Sequence, residues 1–215
     1  LFNCDHKMQK YIILLFINFY SVLINLRPKF YTMIICLKSK ITLFLTCSLT
    51  LASGFVQADA ITGCDRSAAL LADPKRKSEP VPFEKIDATT VIHECTEAIK
   101  MDPDNSGRFF LQRARGHLRM GNIEKSLSDL NLSIEQNYAA AFFGLGVAFL
   151  LGDVVEADYE EASLLLLTAY DKGVFWAANA LAHLYGDENS VYYDLEKSEV
   201  WAQKFILEKR VSSQK

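Results

Sequence analysis

Residues 139–173 read AAAFFGLGVAFLLGDVVEADYEEASLLLLTAYDKG and decide the fold, because their pattern recurs 36 residues further along the chain. Self-similarity at a period of this size is typical of helical-repeat proteins. The chain is therefore predicted to contain a structural unit that is used twice, over 139–173 and 174–208. The clearest equivalent pairs are Leu145 and Leu181, Asp158 and Asp194, Ala141 and Ala177, and Gly146 and Ala182.

Each copy has the pattern of a helix, a loop and a second helix. Apolar residues at helical spacing mark one face of each helix, and small residues among them let neighbouring helices approach closely. The pattern predicts an all-α fold, an α-solenoid of helix-turn-helix repeats. In the first copy these apolar residues are Ala141, Leu145, Ala148 and Phe149, followed after the loop by Ala162, Leu166 and Ala169.

This stretch resembles a known family, the Sel-one-like repeats (SLR), which are relatives of the tetratricopeptide repeats (TPR). The loop over 152–155 departs from the family pattern because it lacks a second glycine. The resemblance implies a right-handed α-solenoid of TPR- and SLR-like units that bind proteins or peptides. The matching positions are Leu145-Gly146, Phe149, Asp158-Tyr159, Ala162, Ala169 and Gly173.

Residues 106–138 fit the same scheme less closely. Ser126 and Ser133 stand where a TPR usually has alanine, so this unit is predicted to be a degenerate TPR-like repeat. The last helix is predicted over 195–207, with a polar tail at 209–215. With Gly121 at the turn, the predicted core positions of the degenerate unit are Phe110, Ala114, Ile123, Ser126 and Leu130.

Residues 33–60 have the features of a secretory signal peptide. A basic flank precedes an apolar run over 41–56, and small residues follow it. We expect cleavage after Ala58 or Ala60, which would release a mature form with no membrane span. An uncleaved anchor is the alternative.

Residues 1–32 precede Met33 and are interpreted as an upstream extension or a non-native start. Without residues 1–58, the chain has 17 Lys and Arg against 25 Asp and Glu, which gives a net charge of −8. An acidic exported domain argues against nucleic acid as a partner.

Residues 61–105 are predicted to form an N-terminal helical cap that contains Cys64 and Cys95. A Cys-Asp-Arg sequence, a proline-rich loop and a helix over 83–101 follow one another there, an order that resembles the N-terminal region of exported bacterial repeat proteins. An even pair of cysteines in an oxidising compartment favours a disulfide. We predict that Cys64 and Cys95 are joined, with two buried thiols as the alternative.

No enzyme active site is predicted. His93 and Cys95 are two positions apart on a helix and point in different directions, while His117 and His183 have no second ligand at metal-binding spacing. We expect neither a metal nor a cofactor. Two alternatives to a free adaptor stay open: an envelope lipoprotein acylated at Cys64, and a hydrolase with a cysteine nucleophile.

The predicted function is that of a periplasmic or secreted adaptor for a protein or peptide. The first helix of each unit lines the concave surface of such a solenoid. Arginine and aromatic side chains there favour an acidic or C-terminal peptide segment. Alternatively, the arginines pair with Glu124 or Asp129, and Trp176 belongs to the core. The predicted surface consists of Arg108, Gln112, Arg115, Arg119, Phe143, Val147, Trp176, Asn179 and His183.

Overall fold

The computed structural model describes residues 60–188 and 190–214. This part of the chain has eight α-helices and no strand, which confirms the predicted all-α class. None of these eight helices is both long and apolar enough to cross a membrane. The predictions for residues 1–32 and for a signal peptide over 33–60 lie outside the described residues, apart from Ala60. The helices are α1 (Gly63–Ala68), α2 (Ala88–Met101), α3 (Gly107–Arg119), α4 (Ile123–Glu135), α5 (Ala139–Leu151), α6 (Tyr159–Asp171), α7 (Trp176–Gly186) and α8 (Leu195–Ser212).

Each helix packs against the next one in the chain. The most extensive pairings are α3 with α4, α5 with α6 and α7 with α8. The first helices of successive pairs also meet, since α3 touches α5 and α5 touches α7, while α1 lies against α2 and α3. We call the surface formed by α3, α5 and α7 the inner surface. Beneath it, Leu166, Leu181 and Leu184 belong to a fully buried apolar cluster.

The two sequence copies repeat in their hydrogen bonds as well. Asp158 and Asp194 are the N-caps of α6 and α8, and their side chains accept hydrogen bonds from N–H groups of the first turn. The N–H of Asp158 donates to the carbonyl of Phe149 at 3.1 Å, and that of Asp194 donates to Tyr185 at 2.8 Å. An N-cap aspartate satisfies N–H groups that have no partner inside the helix. The repeated aspartates therefore have one structural role.

The unit over 106–138 ends in the same way as the unit that follows it. Asn137 and Gly173 are 36 positions apart, and both have a left-handed backbone, with φ of 57° and 90°. Each is followed by an N–H that bonds back to the preceding helix. These bonds join Tyr138 to Ser133 at 3.1 Å and Val174 to Ala169 at 2.9 Å.

The serines of the degenerate unit satisfy their hydroxyl groups on the neighbouring helix. Ser126 and Ser133 of α4 are buried. Their Oγ atoms donate to the carbonyls of Ala114 at 2.9 Å and Gly107 at 2.6 Å, both in α3. A buried hydroxyl is tolerated when it is hydrogen-bonded, so these replacements of alanine join α3 to α4.

Two helices differ from their predicted bounds. The helix α2 begins at Ala88 instead of residue 83, because the side chain of Asp87 accepts hydrogen bonds from the N–H groups of Thr89 and Thr90 and caps the helix there. The helix α8 runs to Ser212 instead of residue 207. The first part of the predicted tail over 209–215 is therefore helical.

Gly146 permits the close approach of α5 and α6. A Cβ atom at Gly146 would lie 2.9 Å from Cγ of the buried Leu166, whereas one at Gly144 would make an ordinary contact with Leu130 at 3.4 Å. Overpacking costs about 1–3 kcal/mol, and alanine gains up to about 1 kcal/mol over glycine within a helix. We expect Gly146→Ala to lower the free energy of unfolding by about 1 kcal/mol and Gly144→Ala to raise it by about 0.5 kcal/mol. Urea denaturation measures both, and a shift of the same sign in the two variants would contradict the expectation.

Candidate partner-binding surface

The four predicted residues of α3 lie along one row of the helix, because their spacing is i, i+4, i+7 and i+11. In the structure, the chain's own residues 61–86 lie against this row. We call residues 61–86 the N-terminal segment. It contains α1 and the loop that leads to α2. The row itself consists of Arg108, Gln112, Arg115 and Arg119.

Arg108 and Asp65 form a buried ion pair. Nε of Arg108 donates to Oδ1 of Asp65 at 3.0 Å, and Nε2 of Gln112 donates to the same oxygen at 3.3 Å. The other oxygen of Asp65 accepts hydrogen bonds from the N–H and the hydroxyl of Thr62, both at 2.9 Å. Arg108 and Gln112 are only 8% and 1% exposed. They were predicted to face a partner, but the N-terminal segment covers them.

The alternative prediction was that the arginines of this row pair with Glu124 or Asp129. In the structure, Asp129 pairs with Arg113, which is not one of the predicted surface residues. Nε and Nη2 of Arg113 donate to the two carboxylate oxygens of Asp129 at 2.8 and 2.7 Å. Nε2 of His117 lies 3.8 Å from the same carboxylate, and burial lowers the pKa of His117 against the opposing effect of Asp129.

In the described part of the chain, no group of three or more His, Cys, Asp or Glu has a metal-binding arrangement.

Arg115 holds two distant parts of the N-terminal segment together. Nη1 donates to the carbonyls of Ala68 at 2.6 Å and Ala69 at 2.8 Å, and Nη2 donates to the carbonyl of Val81 at 2.7 Å. Burial lowers the pKa of Arg115 to about 10, so the guanidinium stays protonated at neutral pH. A substitution of Arg115 would release this segment and could not report on a partner alone.

The N-terminal segment continues onto α5. The hydroxyl of Tyr138 donates to Oδ2 of Asp73 at 2.6 Å, and the N–H of Lys75 donates to Oδ1 at 2.8 Å. Burial raises the pKa of Asp73 and also that of Tyr138. Leu70 and Ala72 belong to the apolar packing that also includes Phe142. The segment thus crosses from the first helix pair to the second.

The remaining predicted residues differ in exposure. Arg119 is exposed, and its Nη2 donates to the carbonyl of Glu84 at 3.4 Å. Phe143 and Val147 are half-buried and pack against the cluster of α5 to α8. Whether they contact a partner stays a prediction.

On α7, Trp176 belongs to an aromatic cluster, while the other two predicted residues, Asn179 and His183, differ in exposure. The Trp176 and Phe205 ring centroids are 5.2 Å apart, so the side chain packs between α7 and α8. Asn179 is half-buried and His183 is exposed. Asn179, His183 and Arg119 are therefore the polar predicted residues that a partner can reach with least rearrangement.

A cavity of about 560 Å³ lies between the N-terminal segment and the end of α8. No pattern in the sequence indicated it, because it joins residues near 70 to residues near 210. Its apolar wall consists of Leu71, Ala72, Pro74, Phe175, Leu207 and Val211.

Cys64 and Cys95 form a disulfide, with the two sulfur atoms 2.03 Å apart. This agrees with the predicted pairing and joins α1 to α2. A sulfur in a disulfide can neither carry a thioether-linked lipid nor act as a thiolate nucleophile. The bond therefore opposes both acylation at Cys64 and a hydrolase that uses either of these two cysteines.

The residues that the sequence did not reveal are the acceptors on the N-terminal segment. Asp65 and Asp73 lie 43 and 65 positions from Arg108 and Tyr138, the side chains that bind them. The available signal was weak: one acidic residue beside Cys64, and another at the start of a proline-rich loop.

Comparisons with protein-family models, with curated proteins and with solved structures each find no match to this chain.

Proposed function

We propose that this protein is an exported binding scaffold, a right-handed α-solenoid of Sel-one-like and tetratricopeptide-like repeats. The repeated N-cap aspartates and the left-handed residues Asn137 and Gly173 support a common unit. The contacts of α3 with α5 and of α5 with α7 support a stack in which the first helices share one surface. The partner is a protein or peptide that binds this inner surface.

The observation that carries the proposal is the manner in which α3 and α5 hold the N-terminal segment. Arg108 binds a carboxylate, Arg115 binds three peptide carbonyls, and Tyr138 binds a second carboxylate. An acidic peptide offers the same two groups, carboxylates and backbone carbonyls. These side chains are occupied by the N-terminal segment, so a partner would meet the exposed basic residues of the same surface, Arg119 on α3 and His183 on α7.

The disulfide supports export to the periplasm or the cell exterior, because such bonds persist in oxidising compartments. It also fits the signal peptide proposed over 33–60. A non-enzymatic, cofactor-free role remains part of the proposal. The lipoprotein alternative is disfavoured by the disulfide at Cys64.

The test is to select, from a library of displayed peptides of about ten residues, those that bind the purified protein. We expect the enriched peptides to be acidic and to lose about tenfold or more in affinity on His183→Glu, because like charges repel. Ser128→Glu places the same charge on α4, at an exposed site, and should leave affinity unchanged. Failure to enrich any peptide, or equal affinity for both variants, would oppose the proposed function.

A further inference from the structure

The last helix, α8, has an outer face that no described helix covers. It is the one described α-helix that contains no buried residue, and among the described helices it contacts α7 alone. Val200, Ile206 and Leu207 are 50%, 46% and 57% exposed. A terminal helix of a repeat protein needs a polar outer face. The exposed residues of α2, which precedes the repeats, are polar apart from Met101, whereas α8 leaves apolar surface in contact with water.

Seven exposed residues of α8 share this outer face, because their spacing is i, i+3, i+4, i+7, i+10, i+11 and i+14. The charge of the face changes along the helix. Glu196 and Glu199 lie near its beginning, Gln203 lies at the middle, and Arg210 lies near its end. The outer face consists of Glu196, Glu199, Val200, Gln203, Ile206, Leu207 and Arg210.

The outer face is complementary to itself when a second helix runs in the opposite direction. Glu196 and Arg210 both lie seven positions from Gln203, and Val200 and Ile206 both lie three positions from it. When Gln203 of two copies meet, each Glu196 is opposite Arg210 of the other copy, and each Val200 is opposite Ile206. A parallel pair would place like charges opposite each other, which is unfavourable. The helix dipoles also favour the antiparallel direction.

We propose that two copies of this protein associate through α8 in an antiparallel pair, as a dimer with its two-fold axis at Gln203. Such a contact uses the same patch on both copies and closes without further growth. It removes the apolar side chains of the outer face from water and brings opposite charges together. Stacking of α8 on α2 of another copy would instead place these apolar side chains against polar residues.

The inference goes beyond the proposed function and does not depend on it, because α8 is not part of the inner surface formed by α3, α5 and α7. The dimer holds two inner surfaces in one assembly. A partner with two binding segments would therefore gain affinity by engaging both.

Sedimentation equilibrium of the purified protein measures the association. A contact between single helix faces is smaller than a standard interface, so we expect a dimer at about 100 μM that dissociates at about 1 μM. Arg210→Glu should weaken the dimer about tenfold or more, because the new carboxylate faces Glu196 of the other copy. Addition of Glu196→Arg to this variant should restore the dimer, since the two charges are then exchanged. Lys197→Glu makes the same change in charge at a residue that pairs with Asp194 outside the outer face and should leave the dimer unchanged.

Crosslinking gives a second measurement that does not depend on charge. Because the two-fold axis lies at Gln203, Gln203→Cys should form a disulfide-linked dimer on mild oxidation, whereas Lys197→Cys should not. A monomer at all concentrations would leave the outer face to a different protein and overturn the inference. Assemblies larger than a dimer, equal effects of Arg210→Glu and Lys197→Glu, or exchanged charges that associate no better than Arg210→Glu alone would also overturn it.

Discussion

Loss of the Cys64–Cys95 disulfide is expected to lower the free energy of unfolding by about 3–4 kcal/mol, since the bond closes a loop with a sequence separation of 31. The helix α1 has six residues and is too short to be stable alone. The disulfide fixes it to α2 and limits the conformations of the unfolded chain. The change is made as Cys64→Ala with Cys95→Ala and measured by urea denaturation.

The matched control is the double variant measured with and without a reductant. Its unfolding midpoint in urea should be the same in both conditions. The unaltered protein should lose stability with reductant and approach the double variant. A double variant as stable as the oxidised protein would contradict the prediction and show that packing alone holds α1 in place.

The architecture was predictable where a residue type recurs for a physical reason. Asp158 and Asp194 recur because each caps the second helix of its unit. The closing Gly173 has the left-handed backbone that favours glycine, whereas the equivalent left-handed Asn137 was not indicated by the sequence pattern. Apolar periodicity then indicates which helix face is buried. These requirements are local, so one sequence contains them in full, and the all-α class followed from them.

The covering of α3 was not predictable, because it depends on contacts between a repeat and an irregular segment. Proline and basic residues over 73–82 indicate a loop but not the surface on which the loop lies. A row of arginines on a helix face has the same spacing whether it binds a partner or the chain itself. The cavity was unpredictable for the same reason, because its two walls lie over a hundred residues apart.

Arg108→Met is expected to lower the free energy of unfolding by about 3–5 kcal/mol, because it leaves the fully buried carboxylate of Asp65 without its cation. Methionine keeps most of the volume, so the loss reports charge and hydrogen bonding more than packing. Asp65 retains its bonds from Thr62 and Gln112, but these neutral donors do not balance a buried charge. Urea denaturation measures the loss.

Two further variants separate the ion pair from general disturbance of α3. Arg108→Met with Asp65→Asn should be less destabilised than the sum of the single changes, because the uncompensated charge is gone. Lys100→Met removes an exposed partner of Glu97 and should leave stability close to that of the unaltered protein. If Arg108→Met behaves like Lys100→Met, the pair does not hold the N-terminal segment on α3. A strong coupling between Arg108 and Asp65 would instead show that this ion pair holds the N-terminal segment on α3.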